Sequence, residues 1–168
     1  MPIDTFTYIA PLLIERARAD MSTISAFMLV YGVMAAIGNV IGGKITDSMG
    51  ANRSSVVIVV GITVTVLGMY LLSSSVIAMA VLTAVLGLLT FGAVPPLQAR
   101  LLSLAELHTP ESVGVAAGLN IAGFNSGIVV GSAIGGVTMG VLGVAYTPLG
   151  AAVTAGLGAV ILIAQLRK

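Results

Sequence analysis

The chain contains no cysteine and no tryptophan, a single histidine, and charged residues at only 8% of its length. Without cysteine there can be no disulfide, no thiolate metal site and no cysteine nucleophile. One histidine, His108, in a polar stretch cannot by itself hold a metal. A soluble domain normally carries about 25% charged residues, so a third of that share argues against a solvated surface. The net charge of +1 and the lack of any basic cluster exclude a phosphate-binding face for nucleic acid. The opening residues, Met1-Pro2-Ile3-Asp4, lack the positive region of a signal peptide, which predicts no cleaved leader and insertion by the first full span.

What the chain has in abundance is apolar sequence: 58% hydrophobic residues and 21 glycines, with a mean hydropathy of +1.14. Residues 112–166 pass without one Asp, Glu, Lys or Arg. A helix needs about 20 apolar residues to cross the hydrocarbon of a bilayer. The chain therefore reads as an all-α integral membrane protein, a polytopic helix bundle forming one domain over 1–168.

Charges place the loops. Residues 5–14 are uncharged but too few to span and contain Pro11, so the first helix is a partial one. Residues 21–43 suffice for one span, 54–99 for two, and 112–166 for two more. Ser22 and Ser25 are candidate N-caps of the first full span. Ser73-Ser74-Ser75 is the natural break in the 54–99 run. Pro95-Pro96 removes two backbone donors and predicts a kink or helix end there. Residues 100–111 read as a loop with some helix beginning at Leu101, and a short turn is expected near Gly143 to Pro148. The resulting helices are 3–14 (partial), 21–45, 54–73, 76–98, 112–140 and 148–166, five full spans in all. Lysine and arginine asymmetry sets Lys44, Arg53, Arg100, Arg167 and Lys168 against Arg16 and Arg18, which predicts a cytoplasmic C-terminus.

Glycines Gly123, Gly127, Gly131 and Gly135 recur every four residues. That spacing suits close packing of helix backbones in lipid, and the same face could slide against a neighbouring bundle. Asn39, Gln98, Asn120 and Asn125 are the polar groups deepest in apolar sequence. They fit either hydrogen bonds between helices or contact with a substrate. Asn120 and Asn125 lie about 140° apart around a helix, so at most one points straight into a cavity.

The run from Gly43 through Lys44, Asp47 and Gly50 to Arg53 reads as a tight polar turn between spans. Gly50 could take a positive φ, Asp47 could cap or face a helix N-terminus, and Arg53 could pair with an acid. Glycine, aspartate, glycine and a basic residue at these spacings resemble the loop between the eighth and ninth helices of the major facilitator superfamily. The resemblance extends to Phe6-Thr7-Tyr8-Ile9-Ala10-Pro11-Leu12-Leu13, similar to the seventh helix of its drug–proton antiporter and sugar-efflux group. It also covers Gly38-Asn39-Val40-Ile41-Gly42-Gly43, similar to the end of the eighth, and residues 117–127, similar to the eleventh. Ser48, Ala51 and Asn52 depart from it, standing where the family often has basic residues.

The resemblance implies half of a twelve-helix fold, the C-terminal one, entered within its seventh helix, with a substrate site at the midplane between the halves. It implies efflux-type secondary transport of small organic molecules or sugars in a bacterial inner membrane, with no cofactor. An N-terminal half or a second copy of the chain would be required as partner. Because the seventh and tenth helices line the path in that family, Tyr8, Pro11 and Phe91 join Asn120 and Asn125 as candidate cavity residues. Asp47 would face a helix N-terminus in the opposite half. The spans lack carboxylates, the usual intramembrane proton carriers. Asp4 at the edge of the first segment comes nearest, so a proton carrier is expected in the other half. Neither a catalytic triad nor a Gly-x-x-x-x-Gly-Lys loop occurs, so no enzyme is expected. The competing reading is a helical membrane scaffold, or an inactive truncated product, that moves nothing.

Overall fold

A computed structural model describes residues 3–16 and 18–166, with side chains from Tyr8 onward. Seven α-helices follow one another: α1 (Ile3–Arg16), α2 (Met21–Met49), α3 (Ala51–Leu71), α4 (Val76–Gly92), α5 (Val94–His108), α6 (Val113–Leu142) and α7 (Thr147–Leu166). Short 3-10 turns at Pro110–Ser112 and Val144–Tyr146 precede α6 and α7. Counting α4 and α5 as one rod, five segments are long and apolar enough to cross a membrane. The protein is an all-α membrane bundle of five spans and a shorter first helix. The side chain of Asp4, and Arg167 and Lys168, lie outside the described residues.

Local chemistry explains where the helices start and stop. The N-cap of α2 is Asp20, rather than Ser22 or Ser25 as the sequence suggested. Its carboxylate accepts the Thr23 N–H at 3.0 Å and the Ser22 hydroxyl at 2.7 Å, which satisfies an orphan donor of the first turn. Ser25 instead donates to the Met21 carbonyl. α2 runs through Gly43 and Lys44 to Met49 and stops where Gly50 takes φ +80°, its N–H returning to the Thr46 carbonyl at 2.9 Å. Ser75 caps α4.

The rod from Val76 to His108 breaks at Ala93, because Pro95 and Pro96 have no N–H to give to the preceding turn and so can only begin a new helix. The expected loop over 100–111 is mostly absent. α5 continues to His108, since Leu97, Leu101 and Leu104 fall on one face that turns toward α6 and α7. Gly143, at φ +93°, closes α6.

In lipid, helices are held by close packing rather than by expulsion of water. The tightest pair is α2 with α4. A Cβ added at Gly38 would strike the Leu88 carbonyl, and one at Gly42 would strike that of Gly92. Gly87 sits against the Tyr31 backbone in the same seam. On the other side α3 buries Ile58, Ile62, Val66 and Met69, and α7 buries the small stripe Ala151, Ala155 and Ala159. The two ends of the bundle are distinct. Tyr70 meets Tyr146 at 5.9 Å between ring centroids at one end, while Arg100 reaches Gln165 at 3.0 Å toward the other. α6 is barely covered: Ala116, Gly131 and Gly135 are its buried residues.

Candidate functional site

Most hydroxyls in the spans are unavailable to a ligand. Thr46, Thr63, Thr65 and Thr138 each donate to the carbonyl four residues back in their own helix, as threonine in a helix commonly does. The groups that face open space include aromatic rings and carboxamides.

Two rings and one carboxamide, Tyr31, Phe91 and Asn39, share a face of α2 bordered by α4 and α6. An open cavity of about 640 Å³ is lined there by Met28, Tyr31, Ala35 and Asn39 of α2, Phe91 of α4 and Ile128 of α6. The α2 residues follow a helical stripe, and the small side chain of Ala35 leaves room above the helix. Tyr31 is buried, and its ring meets Phe91 edge-on, at 6.4 Å between centroids and 78° between planes. The close α2–α4 seam fixes this pair, since Gly87 lets the Tyr31 backbone come within contact distance. Asn39 is exposed on the cavity wall. The size falls within the usual range for small-molecule sites, about 300–1,000 Å³. An apolar wall with an aromatic edge and one carboxamide suits an organic molecule with a few polar groups.

The cavity residues named from the sequence are not brought together. Phe91 lies in this cavity. Tyr8 packs across α6, its hydroxyl donating to the Ser132 carbonyl at 3.0 Å and its ring lying against Gly135. Pro11 is half-buried within α1. Asn120 lines a second cavity, of about 450 Å³, between α5, α6 and α7, while Asn125 is exposed and lines neither. Along the glycine ladder, Gly131 and Gly135 are buried, Gly127 and Gly123 border the second cavity, and a Cβ at Gly123 would meet nothing within 4 Å.

The polar turn expected over 43–53 narrows to Gly50: Gly43 and Asp47 lie in the last turns of α2 and Arg53 in the first turn of α3, because both helices run up to that positive-φ glycine. Gly43 is half-buried, while Asp47 and Arg53 are exposed and have no hydrogen-bond or ion-pair partner among the described residues. Two features went unread in the sequence. Tyr31 was not singled out, although its spacing from Asn39 puts both on one face of a helix. The Gly38-x-x-x-Gly42 spacing was quoted without its packing consequence.

A family model described as Major Facilitator Superfamily matches residues 1–168. The uncharacterized MFS-type transporter YtbD of Bacillus subtilis (strain 168) is 38% identical over 153 residues, covering 84% of this chain and 36% of that protein. The inner membrane transport protein YdhP of Escherichia coli O157:H7 is 32% identical over 164 residues, covering 97% of this chain and 41% of that protein. YdhP of Escherichia coli K12 matches to the same extent. The chain thus spans 36–41% of the length of the curated relatives it matches. No solved structure matches it.

Proposed function

We infer the function from one premise: the chain belongs to the major facilitator superfamily. It acts in membrane transport, as a transporter rather than an enzyme, and contributes one six-helix half of a twelve-helix assembly that rocks around a central site. It corresponds to the C-terminal half, and the efflux group is the subfamily its sequence motifs resemble. The cargo is a small organic molecule, drug-like or sugar. The partner half comes from further chain, from a separate subunit or from a second copy. The membrane is the bacterial inner membrane, and the C-terminus is cytoplasmic by the lysine and arginine count.

One observation carries this reading: the open cavity of Tyr31, Asn39 and Phe91 on the face shared by α2, α4 and α6. Secondary candidates for the path are Tyr8 and Pro11, by family resemblance, and Asn120 and Asn125, as lone amides within apolar sequence. Gly43, Asp47, Gly50 and Arg53, at the junction of α2 and α3, engage the opposite half. A scaffold reading draws on the bare face of α6, where Val115, Leu119, Val129 and Val137 are more than 60% exposed and could seat a partner helix.

The test introduces Asn39→Leu and Gly32→Leu at the chromosomal locus and follows cellular accumulation of a panel of lipophilic dyes and labelled sugars. Gly32 also lines the cavity and has no neighbour within 4 Å of an added Cβ, so a leucine side chain starts from open space and projects into the cavity. Transport predicts raised accumulation of at least one compound in both variants at normal protein levels. Unchanged accumulation across the panel would favour the scaffold.

A further inference from the structure

The second cavity holds a cation, and among the described residues no acidic side chain lines it. It is bounded by α5, α6 and α7, and its walls are leucines: Leu97, Leu101 and Leu104 on α5, Leu119 on α6, Leu162 on α7. Into this apolar space comes the half-buried Arg100, whose guanidinium has one recorded partner, the neutral Gln165 side-chain oxygen at 3.0 Å. A guanidinium carries five N–H donors, and its bond to Gln165 lies exposed at the surface of the bundle, so the remaining donors are open to an anion from outside. None of the lining residues is acidic. On the three helices that form the cavity, Glu106 is the one acid. It is exposed, and six residues on from Arg100 it points about 120° away around α5.

Depth identifies the kind of anion. α6 has 30 residues and so measures about 45 Å, roughly 15 Å more than the hydrocarbon thickness. Centred in the bilayer, it projects about 7 Å at each end. Asn120 lies seven residues into α6, about 10 Å from its start, which sets it just inside the hydrocarbon boundary. Arg100 and Gln165 share the cavity with Asn120. The long arginine side chain can therefore hold its charge at headgroup level while its stem rests on leucine. An anionic head beside Arg100, with acyl chain running down the leucine wall, satisfies both parts of the site.

We propose that the cavity between α5, α6 and α7 binds an anionic phospholipid, with Arg100 on the phosphate, Asn120 and Gln165 as further polar contacts, and the leucines along one acyl chain. The site is separate from the Tyr31–Asn39–Phe91 cavity, sharing only Asn120 with the candidate path, and stands whether or not the chain transports.

The experiment is native mass spectrometry of the purified full chain released from detergent, with phosphatidylglycerol, phosphatidylcholine or inorganic phosphate added. Phosphatidylglycerol should remain bound at concentrations at least about fivefold below those needed for phosphatidylcholine, the factor expected of one interfacial cation. Arg100→Gln should remove that preference, and Arg100→Lys should keep part of it. Gly123→Leu, which fills the cavity beneath an intact Arg100, should also remove the bound lipid. Circular dichroism and gel filtration establish that each variant is folded. Should Arg100→Gln be misfolded, Arg100→Lys and Gly123→Leu still decide the matter. Retained phosphatidylglycerol preference in Arg100→Gln or Gly123→Leu would overturn the proposal. So would displacement of the lipid by millimolar inorganic phosphate, which would make this a free-anion site.

Discussion

The seam between α2 and α4 makes a quantitative prediction. At Gly38 an added methyl would fall on the Leu88 carbonyl oxygen, with the Leu88 carbonyl carbon and Cα each at 2.7 Å. At Gly32, about 1.7 turns earlier on the same helix, it would meet nothing within 4 Å. Both changes replace glycine by alanine within one helix, so the gain in helix propensity, about 0.8–1.0 kcal/mol, is common to both and cancels in the comparison. What remains is the steric term. The obstructing atoms at Gly38 are backbone and cannot rotate aside, so the helices must separate. Overpacking of that kind costs about 1–3 kcal/mol.

Gly38→Ala should therefore be about 1–3 kcal/mol less stable than Gly32→Ala, which itself should match or exceed the parent. Gly42→Ala, against the Gly92 carbonyl, should behave like Gly38→Ala. The double variant should cost less than the sum, because one separation of the helices relieves both clashes. Equilibrium unfolding in mixed micelles titrated with dodecyl sulfate, followed by far-ultraviolet circular dichroism, measures each value. Equal stability of Gly38→Ala and Gly32→Ala would refute the close backbone contact.

Three further outcomes are expected. Asp47 is exposed and has no partner among the described residues, so Asp47→Asn should leave the Tm of the purified chain unchanged; a clear fall would assign it a local structural task and remove the proposed latch to a second half. A cysteine at Ser74 should react with an impermeant maleimide on intact cells and one at Ser48 only after permeabilisation, the reverse pattern inverting the proposed orientation. Hydrogen bonds from the Thr23 and Ser22 side chains, then from the Thr23 backbone, lower the Asp20 pKa from 3.8 to about 2. A depressed carboxylate contributes stability that is complete above pH 3.8 and is lost as pH falls toward 2, so titration of Tm over that window should show a decline that Asp20→Asn lacks.

The resemblance to a transporter family rested on short motifs spread along the chain, and the family match over 1–168 agrees with it. The cavity was less legible. Asn39 and Asn120 look alike in sequence, each a lone amide within apolar residues, yet the fold exposes Asn39 on the α2–α4–α6 face and sets Asn120 in the separate α5–α6–α7 cavity that Arg100 also lines. The glycine ladder of α6 drew notice for its regularity, but the closest backbone approach fell at Gly38 and Gly42, a shorter run with the same spacing.

Membrane class, the number of spans and several of the helix breaks were determined by sequence alone. Each depends on properties that act within a few residues: the length of a charge-free run against the thickness of hydrocarbon, the missing N–H of Pro95 and Pro96, and the positive φ open to Gly50 and Gly143. Which face of each span turns inward was decided only by the tertiary structure. In water, a helix shows its buried side by amphipathic contrast. In lipid, both the packed and the outward sides are apolar, and helices choose partners by shape. Shape is a property of two surfaces at once, and the sequence of either helix contains only one of them.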